Sequence, residues 1–380
     1  MFINLMTGKE KIEAAFSQNG SPEMAVVIPY EGIYYRDHID ELTDCPWWYF
    51  YDTNLDNQFL WYREAALNTP QDWFNMPFSY TREERKNIEI KEEKGKVLRI
   101  NRKTGKIEEI AKPIKGGWNP AGGSHSIHIP NPPLTINELN AKIGNPSHNK
   151  KIPLGGEELI KLIMQDFGKN RIPLHHIGSP LWLCYGIWGF ELMMMLIADN
   201  PKLVEHACKL FFEHQKFNVH ILAEAGAKLI WIEECMTDMI SPQMFEQFNI
   251  PYVSALVDEI RKEGMKSIYY YCGNPEGKLD LILSAGADAL SFEESKKTFK
   301  INIIEMAEKI NGRAVLFGNL DAVNVLERGN EETLAIAVQE QKNAYKTTKK
   351  RFIMSLGSPV TALTSVSRVK EYFRLSRTTT

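Results

Sequence analysis

The sequence contains few cysteines, and no two of them stand at Cys-x-x-Cys spacing. The five positions are widely separated along 380 residues: Cys45, Cys184, Cys208, Cys235 and Cys272. An odd number at such spacings argues against a disulfide framework and is typical of a reducing compartment. The sequence therefore predicts a cytoplasmic protein whose core is large enough to be stable without covalent cross-links.

The sequence also lacks an excess of either charge. Lysine and arginine number 45 and aspartate and glutamate 48, which gives a formal net charge of −3 and a pI of about 6.3. Proteins that bind nucleic acid or anionic membranes rely on basic surfaces. The charge balance therefore supports neither nucleic acid nor a membrane as a partner.

The N-terminus has no apolar segment of the signal-peptide kind, and residues 7–17 are predicted to form an amphipathic helix. One long apolar run occurs later, at residues 181–198. It is interrupted by Gly186, Gly189 and Glu191 and has no flanking basic cluster. We interpret it as a buried helix packed on all sides rather than a membrane span.

From about residue 135, short apolar strands alternate with helices, which is typical of a parallel sheet. The predicted strands are 171–177, 227–234, 266–272, 288–292, 313–319 and 351–357, and the predicted helices are 200–224, 242–263, 299–311, 331–347 and 363–376. With one or two earlier strands, including 25–29, the total reaches eight. Eight strands favour a closed (β/α)₈ (TIM) barrel of the α/β class. An open doubly wound sheet is the alternative, but no Gly-x-Gly-x-x-Gly follows the first strand.

Residues 86–112 alternate apolar and polar side chains, which predicts a small antiparallel sheet. Residues 113–134 are rich in Gly, Pro, Ser and His and are expected to form a loop. The loop carries His125 and His128, a spacing that is only a weak signal for a metal. We interpret 86–134 as a β-rich insertion in a single domain that spans residues 1–380.

If the barrel is correct, the chemistry lies where the strands end, because barrel enzymes place their active sites at the C-terminal strand ends. We call this opening the mouth. The segments expected there are His175 with His176, 233–235, 270–274, 292–297, 318–321 and 355–358.

Several segments, taken in order, resemble uroporphyrinogen decarboxylase-like proteins. They are MTGKEKIEAAF (6–16), IGSPLWLCYGIWGFE (177–191), EAGAKLIWIEECMTDMISPQMFEQFNIPY (224–252), YYYCGN (269–274), LSAGADALSFEE (283–294) and LFGNLDA (316–322). The resemblance runs from about residue 5 to 376, apart from 86–134. No single segment is specific, but the ordered series is, and it implies the same barrel fold.

The resemblance implies two chemistries. The decarboxylase of this superfamily carries an Arg-Gln-Ala-Gly-Arg loop after its first strand, whereas this chain has IPYEGIYYRDH (28–38), with Arg36 alone. A tetrapyrrole with many carboxylates needs arginine partners. The departure weakens the decarboxylase interpretation and favours the corrinoid-linked methyltransferases of the same superfamily.

In the methyltransferases that this chain resembles, a His-x-Cys pair and a distant Cys hold a zinc ion. Here the corresponding positions are Tyr270, Cys272 and Ser358, so one ligand of three remains. The resemblance implies Cys272 as a metal ligand, with Glu234 or His176 as further candidates. A small buried thiol is the alternative.

Other strand ends supply candidates with simpler alternatives. The candidate catalytic residues are Glu233, Glu234, Tyr270 and Asp321, and the candidate cofactor contacts are His175, His176, Asn274 and Asn319. Of each adjacent pair, one side chain at most faces the mouth. Structural alternatives are a helix cap or salt bridge for the acids, core packing for the tyrosine and a hydrogen-bonded core position for each histidine. Asp238 and the charged group Glu293, Glu294, Lys296 and Lys297 either line the mouth or belong to solvated loops.

We therefore expect a methyltransferase component that moves a methyl group between a small substrate and a corrinoid carried by a partner protein. Aromatic residues of 47–62 are expected to wall the site for a methoxy-aromatic or quaternary amine substrate. The alternatives are a carboxy-lyase acting on a tetrapyrrole, and a non-catalytic relative that binds a corrinoid or tetrapyrrole. Zinc is expected only if other residues replace the missing ligands. Relatives of this kind are often dimers, so a homodimer is a further expectation.

Overall fold

The computed structural model describes residues 6–116, 129–144, 154–296 and 298–378. Eight parallel strands form one sheet: β1 (Ala25–Val26), β2 (Trp73–Asn75), β6 (Ile172–Gly178), β7 (Leu229–Glu234), β8 (Lys266–Tyr271), β9 (Ala289–Phe292), β10 (Val315–Phe317) and β11 (Phe352–Met354). Their order is β1-β11-β10-β9-β8-β7-β6-β2. The predicted TIM-barrel fold is confirmed, with the two strands before residue 135 standing at the ends of this order.

The barrel closes between β1 and β2 largely through side chains. The Asp72 amide donates to the Val26 carbonyl oxygen (3.0 Å), and the Val26 amide donates to Asp72 Oδ2 (2.7 Å). The Ile28 amide donates to Gln71 Oε1 (3.2 Å). The sequence predicted a first strand of five residues, but β1 has only two. The Asp72 and Gln71 side chains therefore accept hydrogen bonds that the backbone of a longer neighbouring strand would have accepted.

We expect Asp72→Ala to lower the free energy of unfolding by about 1–3 kcal/mol, because the buried Val26 amide loses its acceptor. Asp72→Asn keeps an acceptor oxygen and should lose less. Urea denaturation of both variants measures the difference. Equal losses in the two variants would show that this hydrogen bond does not hold the barrel closed.

Aromatic side chains fill the inside of the barrel, so it is a packed core and not a pore. Trp231 packs against Trp73 (ring centroids 5.9 Å apart), Tyr270 (5.2 Å) and Phe317 (5.9 Å). Ile12 of the first helix belongs to the same buried cluster. A second apolar layer lies between the outer face of the sheet and the surrounding helices.

The helices surround the sheet. They are α1 (Gly8–Phe16), α2 (Glu31–Asp37), α3 (Ile39–Leu42), α4 (Leu55–Leu67), α5 (Arg82–Asn87), α6 (Ile136–Ile143), α7 (Glu158–Phe167), α8 (Pro180–Asp199), α9 (Pro201–Glu224), α10 (Pro242–Phe248), α11 (Ile250–Lys262), α12 (Leu279–Ser284), α13 (Ile303–Ile310), α14 (Glu331–Thr347) and α15 (Val366–Arg377). Short 3₁₀ helices occupy Trp47–Tyr51 and Thr237–Met239, and a π-helical turn occupies Ala322–Glu327.

The predicted helix 242–263 is interrupted at Asn249, where α10 ends and α11 begins. The Asn249 side chain hydrogen-bonds with Glu234 and Tyr269 in the sheet. Pro251 follows in the first turn of α11, a position that tolerates its missing amide. The apolar spacing of the segment continues across the break, so the sequence pattern did not reveal it.

The antiparallel sheet predicted within 86–112 is present, as β3 (Ile88–Glu93), β4 (Lys96–Asn101) and β5 (Ile107–Ile110) in that order. Its buried residues pack with part of the aromatic segment: Ile88, Ile90 and Val97 contact Trp47, Trp48, Tyr51 and Tyr80. Phe50, Phe59 and Tyr62 pack instead against the main core. These aromatics therefore contribute to the packed clusters of the fold. His125 and His128 lie outside the described residues.

Helix α8 departs from the expectation of burial on all sides. Half of it is buried in the fold, while Gly186, Glu191 and Met195 are exposed. At Gly189 the backbone leaves helical geometry (φ 71°), which bends the helix. Among the described helices it alone is long and apolar enough to cross a membrane, a test that the core helix of a soluble protein also passes.

Candidate functional site

Side-chain alternation decides which residues of β6 to β9 reach the mouth. Trp231, Tyr270 and Leu174 belong to the cluster inside the barrel. Because side chains two residues apart share a face of the strand, Glu233, Cys272 and His176 also point inward. Cys272 packs directly against the interior cluster.

Three neighbouring strands place Cys235, Cys272 and Glu293 side by side, and we call these residues the mouth row. Glu234 pairs with Tyr271 across β7 and β8, and the Cys272 amide donates to the Glu234 carbonyl oxygen (2.8 Å), which extends the pairing by one residue. Tyr271 likewise pairs with Phe292 of β9, the residue before Glu293. All three members of the row are half-buried.

Glu233 lies one level below the mouth row, on the same face of β7. Its Oε1 is 3.7 Å from the Sγ of Cys235. Burial raises the pKa of the Glu233 carboxyl, although interactions with Tyr30 and Cys235 act in the opposite direction. The carboxyl therefore holds its proton more tightly than an exposed glutamate does.

The charges on the other side of the row are partly balanced. Burial raises the pKa of Glu293, against the effect of the Lys296 ammonium group. Lys296 Nζ lies 2.6 Å from Glu294 Oε1 and 3.5 Å from Glu293 Oε1. Burial acts to lower the pKa of Lys296, but the two carboxylates together raise that pKa. The lysine is therefore held charged by its neighbours.

Tyr30 covers the aromatic core from above. It follows β1 in a left-handed conformation (φ 55°), which is uncommon for a residue other than glycine. Its ring lies 5.0 Å from that of His176 and 6.0 Å from those of Trp231 and Tyr270. Burial, followed by the charge of Glu233, raises the pKa of Tyr30. Tyr30 and His176 form the floor of the mouth, and burial lowers the pKa of His176 to about 3, which keeps its imidazole neutral.

The structure separates Glu234 and His175 from the mouth, because each points to the outer face of its strand. Glu234 is fully buried against α10 and α11, where it accepts a hydrogen bond from Asn249, and burial raises its pKa to about 8. The His175 ring contacts Phe78 at 5.5 Å. Of the adjacent pairs in the sequence, Glu233 and His176 are thus the members that face the mouth, and Glu234 does not lie with Cys272 as a second ligand.

The remaining sequence candidates make structural contacts. Asp321 caps the π-helical turn by accepting from the amides of Val323 and Asn324 (2.8 and 2.7 Å). Asn319 donates to the Glu293 carbonyl oxygen (3.0 Å). Asn274 accepts from the Glu276 amide (3.1 Å) within a turn. Asn319 and Asp321, with Glu294, also line a cavity of about 330 Å³ beside the mouth.

The zinc ligands implied by the resemblance do not fit this structure. The Tyr270 hydroxyl is buried and donates to the Gly357 carbonyl oxygen (3.0 Å), and the Ser358 hydroxyl donates to Glu294 Oε1 (2.9 Å). Both side chains are engaged away from Cys272. Within the described ranges, no three His, Cys, Asp or Glu side chains are gathered closely enough to hold a metal ion. Lys297 lies outside those ranges.

Sequence reasoning gave no role to Cys235 or Tyr30. The signal for Cys235 was its position two residues after Glu233, on the same face of the strand. The pairing register that brings it beside Cys272 is a tertiary feature. Tyr30 gave no local signal, because its left-handed conformation depends on packing over the barrel.

The model of the family described as uroporphyrinogen decarboxylase (URO-D) matches residues 121–378. Uroporphyrinogen decarboxylase from Prochlorococcus marinus (strain MIT 9301) is 24% identical over 257 residues, which cover 64% of this chain and 70% of the relative. Uroporphyrinogen decarboxylase 2 (chloroplastic) from Arabidopsis thaliana is 20% identical over 254 residues, covering 65% and 62%.

A solved structure, the methyltransferase from Methanosarcina mazei, resembles the whole chain. The TM-score is 0.63, the sequence identity is 17%, and 98% of each chain is covered. At this identity the likeness establishes the fold.

Proposed function

Because this chain belongs to the uroporphyrinogen decarboxylase (URO-D) family, we propose that it is an enzyme that moves a methyl group between a small substrate and a corrinoid carried by a partner protein. The members named among its relatives are decarboxylases and a methyltransferase. The methyl-transfer proposal depends on the chemistry of the mouth.

One observation carries the proposal: the mouth presents thiols and proton-holding carboxyls. Glu233 and Glu293 both have raised pKa values, and Cys235 and Cys272 lie between them. In the part of the chain that the structure describes, no arginine is hydrogen-bonded to any of these four side chains. A substrate with many carboxylates would find no arginine partner at these side chains, although arginine is the preferred partner of a carboxylate. A neutral or cationic methylated compound needs none.

The chain's own residues supply the proton that methyl transfer requires. When a methyl group leaves the oxygen atom of a methoxy compound, that atom keeps the bonding electron pair and takes up a proton, whereas a quaternary amine leaves as a neutral amine and needs none. A buried carboxyl with a raised pKa suits this task as a general acid, because it remains protonated nearer to neutral pH. We assign the role to Glu233. In the reverse direction the Glu233 carboxylate takes the proton back.

The partner's corrinoid would accept or supply the methyl group. Cys272 and Glu293 line the approach to Glu233 from above, and Tyr30 and His176 form the floor on which a flat substrate would rest. Since the implied zinc ligands do not fit, no step of the proposal uses a metal ion bound by this chain.

A carboxy-lyase is the second candidate, because the curated relatives that match in sequence are decarboxylases. It requires basic groups for the substrate carboxylates. Lys296 is a cation beside the row, and Glu294 already pairs with it at 2.6 Å.

The purified reduced protein tests both candidates. It would be mixed with a corrinoid protein in its reduced cobalt(I) form and a panel of methoxy-aromatic and quaternary amine compounds, with and without zinc. We expect the corrinoid absorbance to change from the reduced to the methylated form with at least one compound. In parallel, uroporphyrinogen should release no CO₂. Release of CO₂ without methyl transfer would establish the lyase, and corrinoid binding without either reaction would establish a non-catalytic relative.

A further inference from the structure

We propose that Cys235 and Cys272 form a reversible oxidation site, in which a hydroperoxide joins the two thiols as a disulfide across the barrel mouth. This site goes beyond the proposed methyl transfer. It depends on the backbone register of β7 and β8 and on the exposure of both thiols.

The register places the two cysteines at the same level, each one residue past the end of its strand. The pairs Glu233–Tyr270 and Glu234–Tyr271 precede them, and the hydrogen bond from the Cys272 amide to the Glu234 carbonyl oxygen (2.8 Å) continues the ladder. Neighbouring strands lie about 4.8 Å apart, and the Cα atoms of a disulfide are usually roughly 4.4–6.8 Å apart. The bond can therefore form by side-chain rotation, without separating the strands.

Of the described cysteines, Cys235 and Cys272 are the neighbouring pair that an oxidant can reach. Both are half-buried and face the mouth. Cys184 and Cys208 also approach each other, with Sγ atoms 3.7 Å apart, but both are completely buried between α8 and α9. Cys45 is half-buried and contacts Glu64 rather than another thiol. Access distinguishes the mouth pair from the core pair.

The chemistry balances with a hydroperoxide as oxidant. The Cys272 thiolate attacks the O–O bond, which gives a sulfenic acid on Cys272 and, after protonation, an alcohol or water. The Cys235 sulfur then attacks the Cys272 sulfur, the S–O bond breaks, and the hydroxyl leaves as water with the Cys235 proton. Two thiols and one hydroperoxide thus give one disulfide, one alcohol or water, and one further water. Interaction with Cys272 and then burial raise the pKa of Cys235, and the same disulfide forms whichever of the two thiols is oxidised first.

The disulfide would remove both thiols from the mouth. If the proposed function is correct, the oxidised protein loses methyl transfer and a dithiol reductant restores it. This consequence rests on the proposed function, whereas the formation of the bond does not.

Peptide mass mapping tests the site on the full chain. The reduced protein would be treated with hydrogen peroxide, its free thiols blocked, and the digest analysed with and without dithiothreitol. We expect a linked peptide pair containing Cys235 and Cys272 that dithiothreitol separates. The matched control Cys45→Ser should form the same link. Cys235→Ser should form none and should accumulate a sulfenic acid on Cys272 that dimedone traps.

Two results would overturn the inference. One is a link between Cys184 and Cys208 in place of the mouth pair. The other is irreversible oxidation of Cys272 while Cys235 stays a free thiol. If the mouth peptides become linked but the reduced protein transfers no methyl group, the result supports the oxidation site and contradicts the proposed function. The two failures are therefore distinguishable.

Discussion

Replacing Glu233 with glutamine is expected to lower the rate of methyl transfer by about 10²–10⁴-fold, the usual contribution of a general acid. Glutamine keeps the size of the side chain and its contact with Cys235 but cannot release a proton. Glu276, which is exposed in the loop after β8, provides the matched control as Glu276→Gln. That variant should retain the wild-type rate.

The pH dependence of the methyl-transfer rate tests the role of Glu233 in a second way. Burial raises the pKa of Glu233, so the wild-type rate should fall as the pH rises through that pKa and the acid loses its proton. In Glu233→Gln this decline should disappear from the residual rate. An unchanged rate and an unchanged pH profile in Glu233→Gln would remove Glu233 from the chemistry.

Replacing Glu234 with glutamine is expected to change the pH dependence of stability. Burial raises the pKa of this carboxyl from about 4.5 to about 8 in the folded protein. Below about pH 4.5 it is protonated in both the folded and the unfolded states. Between about 4.5 and 8 only the unfolded state releases the proton, so the free energy of unfolding falls as the pH rises, by up to about 5 kcal/mol for the whole interval.

Glutamine resembles the protonated carboxyl in shape and hydrogen bonding, and it has no proton to lose. Glu234→Gln should therefore lack this part of the decline and should exceed the wild type in stability by a growing margin from pH 5 to pH 8. Urea denaturation at several pH values measures the margin. Glu31, whose pKa burial raises to about 7, contributes equally to both proteins and cancels. Parallel curves for the two proteins would show that Glu234 titrates normally.

The sequence predicted the barrel because its strands are continuous apolar runs, while the helices between them are amphipathic. Each strand from 172 onward lies within two residues of its predicted limits at one end or the other. The first two strands are harder to predict, since β1 is two residues long and closes the barrel through Asp72 and Gln71. Side-chain acceptors leave no periodic pattern in a sequence.

The site was predictable as a set of strand ends but not as a set of contacts. Trp231 and Leu174 lie inside the barrel, and side chains two residues further along each strand share that face, which places Glu233 and His176 inward. This could have been predicted from the sequence once the inner face of each strand was known. The neighbourhood of Cys235, Cys272 and Glu293 depends on the register across three strands, and nothing local encodes it. Asp321 and Asn319 resemble functional residues by position, yet their hydrogen bonds serve a cap and a loop.

Both proposals depend on one placement, in which the ends of β7 and β8 set two accessible thiols side by side at the mouth. The most direct test is to treat the reduced native protein with dibromobimane, a reagent that bridges neighbouring thiols, and to map the products by mass spectrometry. We predict one bridge joining Cys235 to Cys272, and a single-ended adduct on the isolated Cys45. Separate adducts on Cys235 and Cys272, with no bridge between them, would contradict the placement.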